Sequence, residues 1–344
     1  MRPILEKLAR GIGLSLEEAY NAALMILRAE ASEAEVAALL MGLRVKGEAA
    51  QEVAGFAKAL RDTCLRIPVN DPYVVDTAGT GGDGLRTMNV STVAALLAAY
   101  LGVKVLKHGN RSVSSSSGSA DFLEALGFNI NIQPELAIAM VNRYRFAFAF
   151  APMYHPAMKN VMPVRRKLGI RTIFNLIGPL ANPGLVRRQV LGVSEPGIMS
   201  VMAEAAGFIG YDHLVLVHGE PGIDEVSVFG RTTVYEVKDG SADKYTIEPS
   251  DLGLRLHDLR DVVVSSPVES IEKARRGLMG VDKAALDFIA ANTAMALYVA
   301  GKVKDPRDGV EAVMQVTDNP DGFWAYVNEV AAVSRGWFCL RCVA

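Results

Sequence analysis

Residues 76–84 read Asp76-Thr77-Ala78-Gly79-Thr80-Gly81-Gly82-Asp83-Gly84, a glycine-rich stretch between a short apolar run and a helix-like segment. Positions without side chains let backbone amides approach an anion closely, and a helix start behind them adds its own unpaired amides. Phosphate binding is the chemistry this composition suits. Gly79, Gly81 and Gly84 also satisfy the G-x-G-x-x-G spacing of dinucleotide sites. Two residues oppose that reading. The next strand ends in Lys107, where an adenine ribose would need an acid. Asp83 sets a carboxylate inside the loop, where it would repel a bare pyrophosphate. A divalent cation, or ligand hydroxyls, between loop and anion would reconcile the two.

Two more polar segments follow. Asn89-Val90-Ser91-Thr92 opens a helix with three polar side chains, where a cap needs one. Residues 107–121, Lys107-His108-Gly109-Asn110-Arg111-Ser112-Val113-Ser114-Ser115-Ser116-Ser117-Gly118-Ser119-Ala120-Asp121, combine hydroxyls, glycine and fixed cations between a strand and a helix. A flexible serine linker would not need the Lys, His, Asn and Arg. Two such loops at neighbouring strand ends face one cleft, the usual ligand position of a parallel sheet. A ligand with two separated phosphate groups fits them. Further along, Gly222 precedes Asp224-Glu225. Adjacent residues of a strand point to opposite faces, so these carboxylates reach one cation only if the chain turns there.

The elements that position these loops are legible in outline. The first ~70 residues read as small helices: Ser15 with Glu18, and Ser32 with Glu35, have capping-box spacing. Val36, Leu39, Leu40 and Leu43, then Val53, Phe56, Ala57 and Leu60, each make one apolar helix face. Such faces need a partner surface, either the main domain or a second copy of the chain. After Pro68 and Pro72 strand-like runs alternate with helical stretches: 73–75, 103–106, 146–150, 189–193 and 213–217, with 232–237 as an antiparallel edge. The alternation predicts an α/β domain with a largely parallel sheet covered on both faces. Helix returns at the end, most clearly over 286–299.

At 344 residues the chain exceeds a usual single core, so two domains are expected. Half of the residues are hydrophobic, 22% are charged, and net charge is −2, which leaves no general basic surface for nucleic acid or an acidic membrane. No run reaches the ~18 apolar residues of a membrane helix. With no leader pattern at 1–10, a cytoplasmic protein is the expectation. Cys339 and Cys342 form a C-x-x-C, but only Cys64 remains as a further thiol, too few ligands for a zinc site. The pair is read as incidental or as a local disulfide.

Taken together, these segments resemble the anthranilate phosphoribosyltransferase family. An Asp before Gly-Thr-Gly-Gly-Asp-Gly, then Asn-x-Ser-Thr, then Lys-His-Gly-Asn-Arg with a serine-rich tail ending Gly-Ser-Ala-Asp are present in order and spacing. Phe150-Ala151-Pro152, His155-Pro156-Ala157-Met158-Lys159, Pro163-Val164-Arg165, residues 171–180 with Asn182-Pro183, and Gly222-Ile223-Asp224-Glu225 continue the likeness to about residue 236. Ser112, where alanine is usual, and Ser116, where a basic residue is frequent, depart from it. The resemblance implies a small N-terminal helical domain (1–70, joined by part of 163–183) and a large α/β domain (71–344) of the nucleoside phosphorylase/phosphoribosyltransferase kind. It implies a homodimer through the helical part, Mg2+ as cofactor, and phosphoribosyl pyrophosphate and anthranilate as substrates in tryptophan biosynthesis.

By the same resemblance, Gly79, Gly82, Asp83, Thr87, Asn89, Ser91, Thr92, Lys107, Ser115 and Ser119 would bind phosphoribosyl pyrophosphate. Gly79, Asn110, His155, Arg165 and Gly178 would line the anthranilate site, and Ser91, Asp224 and Glu225 would hold metal. The serine-rich loop would close over the ligand. Displacing diphosphate from a ribose carbon needs stabilised leaving-group charge and a positioned nucleophile. Anthranilate's amine is neutral, so no strong base is required; His108 is the one candidate to take its proton, with simple positioning as the blander role. Arg165, followed by Arg166 and Lys167, would grip the acceptor carboxylate. Read as a helix start, three cations there oppose the helix dipole and call for an anion. A pyrimidine nucleoside phosphorylase-like enzyme, whose phosphate-loop pattern differs, and a non-enzymatic nucleic-acid-binding relative, which should carry a basic stripe, are the alternative readings. A dehydrogenase is a more distant one.

Overall fold

The structure, a computed structural model, describes residues 1–111 and 117–336. Ser112, Ser115, Ser116, Cys339 and Cys342, and the loop closure expected around them, lie outside those residues.

Four helices open the chain: Arg2–Ala9, Leu16–Leu27, Glu33–Lys46 and Ala50–Asp62. Both expected capping boxes form, with Ser15 and Ser32 side chains accepting from Glu18 and Glu35 backbone N–H. Gly55 lets the second and fourth helices cross in backbone contact, since a Cβ there would lie 2.6 Å from Leu16 O. Glu52 is fully buried beside them and is satisfied by three donors: Leu14 N (2.9 Å), Ala49 N (2.8 Å) and Lys46 Nζ (2.9 Å).

Seven strands follow: β1 Val75–Gly79, β2 Val105–Gly109, β3 Phe146–Phe150, β4 Arg188–Gly192, β5 His213–Gly219, β6 Thr232–Lys238 and β7 Ser241–Ile247. They form one sheet in the order β3-β2-β1-β4-β5-β6-β7. The first five are parallel, and β6 and β7 close the edge antiparallel. A large α/β domain with a small helical domain before it is the architecture expected. Chain order reverses between β1 and β4, and such a switch point leaves a crevice at the carboxyl ends of the strands.

Alternation along the strands sorts two apolar clusters. Val190, Val215 and Val217 face one built with the helices Val90–Tyr100, Pro134–Tyr144 and Lys283–Val299. Leu191, Leu214 and Leu216 face the other, which runs through helix Met199–Ile209 into the N-terminal bundle and takes in Val164, Ile173 and Phe174. The bundle thus finds its partner surface on the main domain.

Three expectations are corrected. β1 and β2 run further than the apolar runs 73–75 and 103–106 suggested, so Asp76, Thr77 and, beyond Lys107, His108 belong to strands. Pairing with β4 and β3 extends them past the last apolar residue. β7 has no apolar alternation and is almost wholly exposed; it forms because Asp239 and Gly240, both at positive φ, make a tight hairpin turn after β6. Finally, the helix with Arg165, Arg166 and Lys167 is only Met162–Leu168, which puts all three cations in its last turn. There they favour the dipole, and the argument that they call for an anion falls.

Candidate active site

The strand ends at the switch point supply the site's first wall. Beyond β1, the loop turns through Gly81, Gly82 and Gly84, all at positive φ. Thr80 N donates to Gly192 O (2.9 Å), and Gly81 N donates to Asp224 Oδ2 (2.8 Å). The Gly81 carbonyl accepts from Ser194 Oγ (2.9 Å) and Arg171 Nη1 (3.2 Å). The Asp224 carboxylate packs directly on Gly79, where a Cβ would lie 2.4 Å from Asp224 Oδ2. Gly192 is more constrained, because a Cβ would fall 1.5 Å from Asp224 O.

The chain does turn before the acidic pair. Gly219 and Ile223 bridge across a tight reversal with Gly222 at φ 131°. Asp83, Asp224 and Glu225 then offer carboxylate oxygens all within 4.8 Å of one another. Burial, and then Asp83, push Asp224 up to about 6. Glu225 is pushed well above the usual carboxylate range by burial and by Asp224 and Asp83, and its buried Oε2 has no hydrogen-bond partner. Three oxygen donors crowded together at an electrostatic cost could hold a hard cation. Thr77, Ser91, Gly192, Asp224, Glu225 and Asn292 line one small cavity there. Asn292 secures the turn, donating to Val226 O (3.0 Å) and accepting from Val226 N (2.9 Å).

The helix after the loop brings Ser91 to the same cavity. Asn89 precedes it without capping it; its Nδ2 donates to Ser117 O (3.0 Å), tying the two polar segments together. Thr92 Oγ1 is buried without a partner. Thr87 bridges Val263, Ser119 begins the helix Ser119–Ala125, and Ser91 O accepts from Thr77 Oγ1 (3.0 Å). On β2, Lys107 is 1% exposed and donates to Thr77 O. Burial lowers its pKa to about 8, against the pull of Asp76, Glu225 and Asp224.

A second wall carries the other group. His108 and His155 stack edge to face with centroids 5.0 Å apart, and both are buried. Burial lowers His155 to about 4 and holds His108 well below its usual value, with His155 adding to it; both rings are neutral at pH 7. The His108 ring lies beside the Gly178 backbone. Arg165 is half-buried, reaches Asn175 Oδ1 (3.1 Å) and lies over the Phe174 ring, in the short helix that leads to Gly178. Arg166 is exposed. Asn110 is exposed at the end of β2, where its Oδ1 accepts from Arg111 N (2.7 Å). Arg171 and Ser194, which hold the glycine loop, were not anticipated. Ser194 could have been found from its place just beyond a strand end at the switch point.

Comparison with known proteins agrees with this geometry. The helical bundle domain of a glycosyl transferase family matches residues 2–64, and the a/b domain of the same family matches 71–321. The chain is 83% identical to the anthranilate phosphoribosyltransferase of Caldivirga maquilingensis over 97% of this chain and 99% of that one. That of Pyrobaculum aerophilum is 52% identical over 90% and 92%. Among solved structures, the anthranilate phosphoribosyltransferase of Thermus thermophilus superposes with a TM-score of 0.90 at 39% identity, covering 96% of this chain and 99% of that one. The Saccharomyces cerevisiae enzyme in complex with PRPP and Mg gives 0.86 at 28%, covering 98% of both. The phosphorylase-like, nucleic-acid-binding and dehydrogenase readings are set aside. The chain belongs to the anthranilate phosphoribosyltransferase family.

Proposed function

We propose that the strand-end cleft binds phosphoribosyl pyrophosphate with Mg2+, and that the His108–His155–Gly178 wall presents anthranilate to it. The reaction is that of the family: the phosphoribosyl group passes to the amine of anthranilate, giving N-(5-phosphoribosyl)anthranilate and diphosphate in tryptophan biosynthesis. The observation that carries the reading is the meeting of Asp83, Asp224 and Glu225 beside a glycine loop and a helix start.

In this reading Gly79, Gly82, Asp83 and Ser91 take the diphosphate, while Thr87, Asn89, Thr92, Lys107, Ser115 and Ser119 take the ribose and its phosphate. Ser91, Asp224 and Glu225, with Asp83, would hold Mg2+, which when bound neutralises charge building on the leaving diphosphate. Thr92 Oγ1 and Asn89 Oδ1, buried without partners, are acceptors and donors waiting for ligand groups. Gly79, Asn110, His155, Arg165 and Gly178 line the acceptor pocket, with the Arg165 guanidinium opposite the carboxylate. The amine nitrogen bonds to the ribose carbon as the bond to diphosphate breaks. Its proton leaves afterwards, and neutral His108 can receive it, though its closer duty is to shape the pocket.

The proposal extends to a division of the chain into 1–70, joined by part of 163–183, and 71–344. Phe56 meets Phe174 edge to face at 5.8 Å, and Lys167 Nζ donates to Glu33 Oε2 (2.5 Å), which supports that joining. It extends to a homodimer docked on the apolar groove of Leu5, Leu8, Met41, Gly42 and Val45, the last 80% exposed. A cytoplasmic location completes it; no described helix is long and apolar enough to cross a membrane. The test is loss of anthranilate fluorescence on mixing with phosphoribosyl pyrophosphate and Mg2+, each omitted in turn. Consumption without the pyrophosphate would contradict the reading.

A further inference from the structure

The Asp76 carboxyl group is shut off from solvent and has no part in the reaction above, yet several elements converge on it. Its Oδ1 accepts from His108 N (3.0 Å) on β2, and its Oδ2 from Asn182 Nδ2 (2.9 Å) and, more loosely, Gln189 Nε2 on β4 (3.4 Å). Asn182 donates also to Leu106 O (2.8 Å) and accepts from Gly184 N (2.8 Å). Gln189 donates to Pro179 O (2.8 Å) and accepts from Tyr211 Oη–H (2.7 Å). Arg61, from the last turn of the helical bundle, donates to that Tyr211 oxygen (3.0 Å) and to Leu180 O (2.7 Å). All five side chains are buried, from Asp76 at 0% to Arg61 at 7%.

We propose that Asp76, Asn182, Gln189, Tyr211 and Arg61 form a positioning network that sets the spacing between the phosphoribosyl-binding strand ends and the acceptor segment 178–184. This rests on the assignment of the two sites above. The segment 178–184 is irregular, and its carbonyls at Pro179 and Leu180 have side chains for partners. Its place is therefore set by this network. The glycine loop is held separately, by Ser194, Arg171 and Asp224. Loosening the network should move the acceptor relative to the donor while leaving donor affinity in place. Misplacement by about 1 Å costs on the order of a hundredfold in rate.

The experiment uses the full-length enzyme with Mg2+ and two variants, Asn182→Ala and Tyr211→Phe. Measured are kcat, KM for each substrate, phosphoribosyl pyrophosphate affinity by calorimetry, and diphosphate released per anthranilate consumed. Asn182→Ala should lower kcat/KM for anthranilate by about 30- to 100-fold, and Tyr211→Phe by roughly fivefold, with donor affinity within about threefold. The ratio of diphosphate to anthranilate should stay at about one in the unaltered enzyme and rise in the variants, because water can bond to the ribose carbon as diphosphate leaves, giving up a proton to solvent. Variants that lose thermal stability but keep both kcat and KM would overturn the inference, as would equal loss of donor and acceptor affinity. If Asn182→Ala does not fold, Tyr211→Phe, which deletes one oxygen, decides alone. An unaltered enzyme that fails to consume anthranilate would overturn the functional reading, and the inference with it.

Discussion

Glu52 in the helical bundle is fully buried, Glu225 in the cleft is partly buried with its Oε2 shut off from water, and their surroundings differ. Glu52 meets two backbone N–H groups and a lysine, so its charge is spread over donors the fold supplies. Glu225 meets Asp224 and Asp83, and its Oε2 meets no donor at all. A buried charge normally finds partners, and one left without them costs free energy that the rest of the fold must cover. Such strain collects where a ligand completes the set. The bundle glutamate holds structure, and the proposed role of the cleft glutamate is to bind a cation.

Breaking each side separates the two roles. Replacing Asp224 and Glu225 together by Ala should reduce kcat/KM by about two to three orders of magnitude and raise the Mg2+ requirement, with folding intact. A magnesium titration of initial rates checks it; unchanged magnesium dependence would remove the pair from the metal site. Glu52→Ala should do the reverse, costing about 3 kcal/mol of stability, since it strands Lys46 and two amides, while turnover per folded molecule persists. Denaturant unfolding and active-site titration measure both. Arg165→Ala should raise the anthranilate KM by roughly ten- to a hundredfold, the loss of one charge-assisted contact of about 1.5–3 kcal/mol. Donor KM should hold, and exposed Arg166→Ala is the control; if the two variants behave alike, the carboxylate role is wrong.

The smallest effect is a dependence on pH. Asp224 lies at about 6 in the folded chain against an ordinary 3.8, so between those values the folded state holds a proton the unfolded state has released. Its contribution to metal-free stability therefore falls as pH rises through about 4 to 6. A cation needs deprotonated groups, so Mg2+ affinity should climb about tenfold or more per pH unit below about 6, and flatten only once Glu225, also raised, has lost its proton. Thermal shifts with and without Mg2+ at pH 5, 6 and 7 give the comparison, and Asp224→Asn should flatten the curve.

Much of this molecule was legible in short stretches of chain. Capping boxes at Ser15 and Ser32 are contacts three residues apart, and the glycine loop and the turn at Gly222 follow from backbone freedom at named positions. Local physics decides such features, so they can be read in order along the chain. The anion-binding character proposed for 76–84 and 107–121 rests on the same kind of local reading, as does that of the acidic pair.

Contacts between distant segments decided the remainder. Strand pairing with β4 and β3 carried Asp76 and His108 into the sheet, beyond the end of the apolar runs before them. The order that leaves a crevice between β1 and β4 arises from how the strands stack. Asp83 joins Asp224 and Glu225 only because the crevice brings their loops together, and Gly192 is required by the Asp224 carbonyl rather than by any neighbour in sequence. The cations at 165–167 are the counterexample, misread for a local reason. Gly169, at φ 64°, ends their helix just past Leu168, which puts them in its last turn and reverses the sign of the dipole they meet. Residue type and spacing set what each segment can do; pairing register and strand order, which depend on partners far along the chain, set which capabilities meet.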